Sequence, residues 1–148
     1  MPLSACVGSA ALMGAWGTSR GEAIHTSTFL GHPLACAAAC AALDVIADER
    51  LPERAHVEGR WLTQALGNLA ARHGLDAPRG RGLLVGLPIG DGARTLRTIR
   101  SLLRRGFVVL PAGADASVLA VHPPLTIASA QLAAFVDALD LAIQDGAG

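Results

Sequence analysis

A chain of 148 residues, 51% of them hydrophobic and 16% charged, is too apolar for a disordered segment. It has the size of one ordinary domain, in which roughly 70% of the unfolded surface can be buried. A formal net charge of +0 and an aromatic content of 3%, with no Tyr, supply neither the field nor the stacking platforms that nucleic acid or an anionic membrane would require.

The opening apolar run carries no basic residue before Arg20, which argues against a secretory signal, and no run reaches the ~20 residues of a membrane span. Cys6, Cys36 and Cys40 make no disulfide-like framework, so a reducing cytoplasm is the expected location. Leu3 to Val7 reads as a short strand, and Ser9 to Trp16 as one or two helical turns broken by Gly17. The start at Met1-Pro2-Leu3, in mid-pattern and without a cap or loop ahead of it, reads as internal. Thr18 to Gly31 has no amphipathic period and is expected to be loop with short extended pieces.

Pro33 suits the first helical position, where its missing N–H has no intrahelical partner. From Leu34 to Ile46 every face is apolar, which predicts a helix surrounded by protein. Pro52 opens a second helix with Ala55, Leu62, Leu66 and Leu69 on one face and Gly74 as its stop. Leu83 to Ile89 is read as a strand. Asp91 caps a helix expected to turn Ala93, Leu96, Ile99 and Leu103 inward and to end at Gly106. Two short strands follow, Phe107 to Leu110 and Ser117 to Val121. The last helix starts near Ser129, with Leu132, Phe135, Val136, Leu139 and Ile143 at helical spacing. The order α-β-α-β-β-α from Pro52 onward implies an α/β fold, a small sheet covered by helices.

Several residue groups could carry chemistry. Ser27 and Thr28 precede a helix start, where hydroxyls and backbone N–H groups can hold a phosphate or simply cap the chain. His32, Cys36 and Cys40 stand four apart, but the outer two are ~12 Å apart along a helix, too far to share one ion. Buried small thiols in a tight helix are the expected state of the two cysteines. Gly17-Thr18-Ser19-Arg20-Gly21 matches G-x-S-x-G, a nucleophile elbow that needs a strand before the serine, whereas a helix-like stretch precedes this one. Gly80-Arg81-Gly82 with Gly86 approximates a dinucleotide fingerprint, but its strand follows the glycines where it should precede them. Arg94, Arg97, Arg100 and Arg104 form a helical stripe that, without interleaved aromatics, reads as a solvated face.

The run from His25 to Leu43, HTSTFLGHPLACAAACAAL, leads a hydroxyl-rich loop into a helix of small apolar residues. It is followed in order by Arg79-Gly80-Arg81-Gly82-Leu83, Arg105-Gly106-Phe107-Val108-Val109 and His122-Pro123-Pro124-Leu125. This series resembles the C-terminal part of class III aminotransferases, the pyridoxal-phosphate enzymes of fold type I. The resemblance implies that residues 1–31 belong to the large cofactor domain, that 32–51 form a bridging helix, and that 52–148 form the small domain. It further implies a homodimer in which Thr28, beside Ser27, reaches the cofactor phosphate of the other subunit. His25 fits the family's loop histidine in a structural role, and His32 stands where Asn is usual.

The activity implied is amino-group transfer between an amine or amino acid and a 2-oxo acid, with no nucleic-acid or membrane partner. Two departures stand out. Ala120 occupies the place where many members carry an arginine for the substrate carboxylate. All 12 Lys+Arg residues are Arg, so no lysine is present to bond the cofactor. The chain alone is therefore expected to be inactive, either as the C-terminal part of such an enzyme or as a non-catalytic interaction and dimerisation module built on its fold.

Overall fold

The computed structural model describes residues 3–15, 17, 20–21 and 28–146. They fall into two units, Met1–Glu49 and Arg50–Gly148. In the first, α1 (Ala10–Gly14) begins at Ser9, whose hydroxyl accepts from the Leu12 N–H at 3.3 Å. The stretch from Leu3 to Val7 forms no strand, contrary to the expectation from its sequence. A strand needs a ladder partner, and the described residues of this unit contain none.

Helix α2 (Pro33–Asp48) starts on Pro33 as expected, but only Ala35 is buried along it. Leu34 and Leu43 are 67% and 64% exposed, so the predicted wrapping by protein is absent among the described residues.

The second unit runs α3 (Leu51–Arg72), β1 (Arg79–Arg81), β2 (Leu84–Pro88), α4 (Gly92–Arg104), β3 (Leu110–Ala112), β4 (Val118–Val121) and α5 (Ser129–Gly146). Its four strands form an antiparallel sheet in the order β1-β2-β4-β3. Strand β4 thus inserts between β2 and β3, which run in the same direction and are joined through α4. Strand alternation places Val85 and Leu87 of β2, with Leu119 and Val121 of β4, on the buried face. Helix α3 packs on β1 and β2, α4 on β3 and β4, and α5 on both α3 and α4. The core joins Leu62, Leu66 and Leu69 of α3 to Leu132, Phe135, Leu139 and Ile143 of α5, as their spacing predicts.

Local chemistry sets the ends of these elements. Gly74, at φ +63, closes α3: the Leu75 N–H donates to Ala70 O at 2.9 Å, and the left-handed turn needs a residue without Cβ. Asp91 Oδ1 accepts from the Arg94 N–H at 2.8 Å and starts α4. Beyond that cap, α4 departs from expectation. Thr95, Thr98, Ser101 and Leu102 are its buried residues, whereas Leu96 and Leu103 are 45% and 58% exposed.

Small polar side chains let α4 approach α5 closely, since a Cβ on Gly146 would lie 2.8 Å from Thr98 Oγ1. Ser101 Oγ donates to Asp145 Oδ2 at 2.7 Å, and Arg105 Nη2 stands 2.9 Å from the same oxygen. These contacts hold the Asp145 carboxyl below its usual range, the Ser101 hydrogen bond first and Arg105 second. The fourth strand, β1, was absent from the predicted order. It lies directly on α3, where a Cβ on Gly59 would stand 2.2 Å from the Gly82 carbonyl oxygen of the β1–β2 turn.

Candidate cofactor-binding site

Thr28 opens an exposed turn that delivers the chain into α2. The His32 N–H donates to Phe29 O at 3.1 Å, closing the turn, and the Cys36 N–H donates to His32 O at 3.0 Å, starting the helix. The Phe29 and His32 rings meet edge to face at 6.1 Å. His32, the cap residue, gives the helix no side-chain hydrogen bond, and Pro33 has no N–H. The first turn therefore offers backbone donors and the positive end of the helix dipole, and Thr28 lies in the exposed turn just before it in the chain. A phosphate group fits this setting, because it accepts hydrogen bonds and carries the opposite charge. Ser27 and His25 lie outside the described residues. Pyridoxal phosphate would find a fitting phosphate environment here, but no side-chain amine in this chain to bond its aldehyde.

In the second unit, Ala120 lies mid-sheet on the face opposite Leu119 and Val121. Its lateral neighbours in register are Gly86 on β2 and Leu110 on β3, and the same row ends at Arg79 on β1. The loop that follows β4 is held from α3. The two terminal nitrogens of Arg54 donate to the Leu125 and Ile127 carbonyls, and Ser129 Oγ donates to Glu58 Oε1 at 2.6 Å. Sequence reasoning passed over Arg54 and Glu58, because their partners lie more than 70 residues away and no local pattern announces them.

The other motifs resolve by context. The G-x-S-x-G stretch follows helix α1 and not a strand, so it lacks an elbow's scaffold; Ser19 itself lies outside the described residues. Gly80-Arg81-Gly82 belongs to the β1–β2 hairpin, with no helix at the glycines. Cys40 is exposed and Cys36 half-buried, which corrects the expectation of buried thiols. Among the described residues no group of three or more His, Cys, Asp and Glu could hold a metal ion, and no helix is long and apolar enough to cross a membrane. Arg97 of the α4 stripe donates from Nε to Gly146 O at 3.1 Å, a structural contact to α5.

Over residues 1–143 the chain matches the family Aminotransferase class-III. It is 36% identical over 146 residues to an acetylornithine aminotransferase of Methanosarcina mazei, covering 96% of this chain and 36% of that protein. The crystal structure of acetylornithine aminotransferase from Elizabethkingia anophelis superposes with a TM-score of 0.75 at 32% identity, covering 86% of this chain and 32% of that one. An amine transaminase from an uncultivated Pseudomonas species, solved in its PLP-bound form, gives a TM-score of 0.74 at 32% identity, covering 81% and 29%. The chain thus spans between 24% and 36% of the length of the curated relatives compared with it. With a family match that runs nearly end to end and a fold shared with solved aminotransferases, this chain belongs to the class III aminotransferases.

Proposed function

We propose that this chain is the C-terminal part of a pyridoxal-phosphate-dependent aminotransferase that moves an amino group between an amine or amino acid and a 2-oxo acid. The observation that carries the reading is the family match over residues 1–143, joined to an exposed threonine in the turn that leads into α2. Bound pyridoxal phosphate supplies the electron sink for the reaction. Thr28, with Ser27 beside it, holds the cofactor phosphate of the opposite subunit in a homodimer. Residues 1–31 complete the large domain, 32–51 bridge, and 52–148 form the small domain of a cytoplasmic enzyme. The small domain presents the Ala120 row of its sheet to the substrate, with Arg54 and Glu58 fixing the loop behind it.

Ala120, in the place where many members carry an arginine for the substrate carboxylate, favours one alternative, a non-catalytic interaction module on the same fold. A chimera separates the two. This chain replaces the matching C-terminal third of the Methanosarcina acetylornithine aminotransferase, which retains its own upstream part. Recovery of cofactor binding and turnover supports the aminotransferase reading. A folded, dimeric chimera that binds cofactor but turns over no amino donor supports the module. By itself the chain is expected to turn over no amino donor, and turnover with contaminating enzyme excluded contradicts that expectation.

A further inference from the structure

Two open cavities of about 400 and 430 Å³ meet where the β1–β2 hairpin lies on α3, sharing His56, Arg81 and Gly82 in their walls. His122 from the end of β4 enters the first, and Arg60, Thr63 and Gln64 of α3 enter the second. The trough is built by the Gly59 contact: because the hairpin backbone rests directly on the helix, Arg60 and Arg81 line one wall region although they are 21 residues apart in sequence. No carboxylate lines either cavity. Glu53, three residues before His56, stays outside both linings, and Glu58 is engaged by Ser129.

Elsewhere in this unit arginines are put to structural use: Arg54 on two carbonyls, Arg72 on Asp140, Arg97 on Gly146 and Arg105 on Asp145. Arg60 and Arg81 have neither a hydrogen bond nor an ion pair among the described residues. Two unpaired positive side chains thus line the second cavity together, with the Thr63 hydroxyl, the Gln64 amide and the His56 imidazole in the same lining and no carboxylate among them.

We propose that this trough binds a small phosphate monoester. Charge selects the class: a phosphate dianion matches both guanidinium groups, while a monocarboxylate leaves one of them unpaired. Geometry agrees, because each guanidinium presents a planar fork suited to two phosphate oxygens. Cavities of this size leave room for an organic group beyond the phosphate, along the Pro52 and Leu84 side of the first. The site is built from residues of the second unit alone and does not depend on the aminotransferase reading.

The test is a titration of the 148-residue chain, kept dispersed in a mild non-ionic detergent, with glycerol 3-phosphate, followed through the backbone amide shifts of Thr63, Gly80 and Gly82 and the Arg60 and Arg81 side-chain Nε–H signals. Acetate and sodium chloride at matched ionic strength are the controls. Saturable binding is expected with a dissociation constant in the millimolar range or tighter, roughly tenfold or more stronger than for acetate. Arg60→Met and Arg81→Met should each weaken it about tenfold, while Arg81→Lys, a point charge without the fork, falls between. Arg100→Met, on exposed α4 surface, should leave it unchanged. Both methionine variants remove exposed side chains with no intramolecular polar partner, and unchanged core amide shifts would verify their fold. Equal responses to acetate or chloride, retained affinity in both methionine variants, or an equal loss in Arg100→Met would each overturn the proposal.

Discussion

Thr28 is a single hydroxyl in an exposed turn, and its expected effect is bounded accordingly. In an assembled dimer, Thr28→Ala should cost about 1.5–3 kcal/mol of cofactor affinity, the worth of one charge-assisted hydrogen bond, and leave the fold intact. Equilibrium dialysis of pyridoxal phosphate measures this. Mixed dimers carrying the substitution in one subunit and no cofactor lysine in the other report which site loses affinity, and loss confined to the mutated subunit's own site refutes the cross-subunit role. Asp140 carries a different kind of consequence. Its Oδ1 lies 2.6 Å from His73 Nε2 and 3.2 Å from Arg72 Nη2, tying the end of α3 to α5. The His73 hydrogen bond, ahead of the Arg72 contacts, holds this carboxyl below its usual range. A carboxyl whose folded pKa is depressed adds stability above the unfolded value, near pH 4, and loses it as pH falls through the lower folded value. The carboxylate is 30% exposed, so the gain is set at about 1 kcal/mol or less. Asp140→Asn should therefore be less stable than the parent in urea at pH 7, with the difference lost as pH falls through the lowered folded pKa. A difference that persists unchanged into acid would mean that the ion pair contributes nothing.

At the level of elements, the α4–α5 contact invites the sharpest substitution. Thr98 is fully buried, and its hydroxyl has no hydrogen-bond partner among the described residues. Replacing it with valine keeps the shape and removes an unsatisfied polar atom, so Thr98→Val should be neutral or raise stability by up to about 1 kcal/mol. Urea midpoints with an unchanged slope would measure this, and a loss above about 1 kcal/mol would mean that the hydroxyl has a partner in solution. The same helix explains where the sequence was legible and where it was not. Helices α3 and α5 bury long aliphatic side chains at helical spacing, so their inner faces could be read directly. Helix α4 buries Thr95, Thr98 and Ser101 against the small residues of α5, and a reading that equates apolar with inward turns it round. Strand β1 escaped notice because Arg79-Gly80-Arg81 has no apolar alternation; its place comes from pairing with β2. Leu3 to Val7 reads as a strand but has no partner strand among the described residues of its unit. The candidate phosphate turn was legible only through the resemblance of the whole His25–Leu43 run. The basic trough was not legible at all, since its walls come from α3, a hairpin and the end of β4.

For the whole molecule, the contrast between the two units governs behaviour. Leu34, Leu43 and Val45 of α2 are exposed, with Val7, Phe29 and Leu30 on the same unit, whereas the second unit holds a continuous core. At ~25 cal/mol per Å², apolar surface of this kind drives association once it is contiguous over several hundred Å². The chain is expected to self-associate at micromolar concentrations, with hydrogen-exchange protection concentrated in β2, β4 and α5. A monodisperse 15.1 kDa species, protected equally along Leu34–Ile46, would contradict this. The sheet edges decide what form such association takes. One edge strand, β1, carries Arg79 and Arg81, whose like charges oppose stacking against a second copy of itself. The other, β3, has Pro111 at its centre, a residue with no N–H to offer an incoming strand. Growth by strand addition is thus discouraged at both ends of the sheet, and the aggregates should be amorphous, dispersed by mild detergent and silent to amyloid dyes.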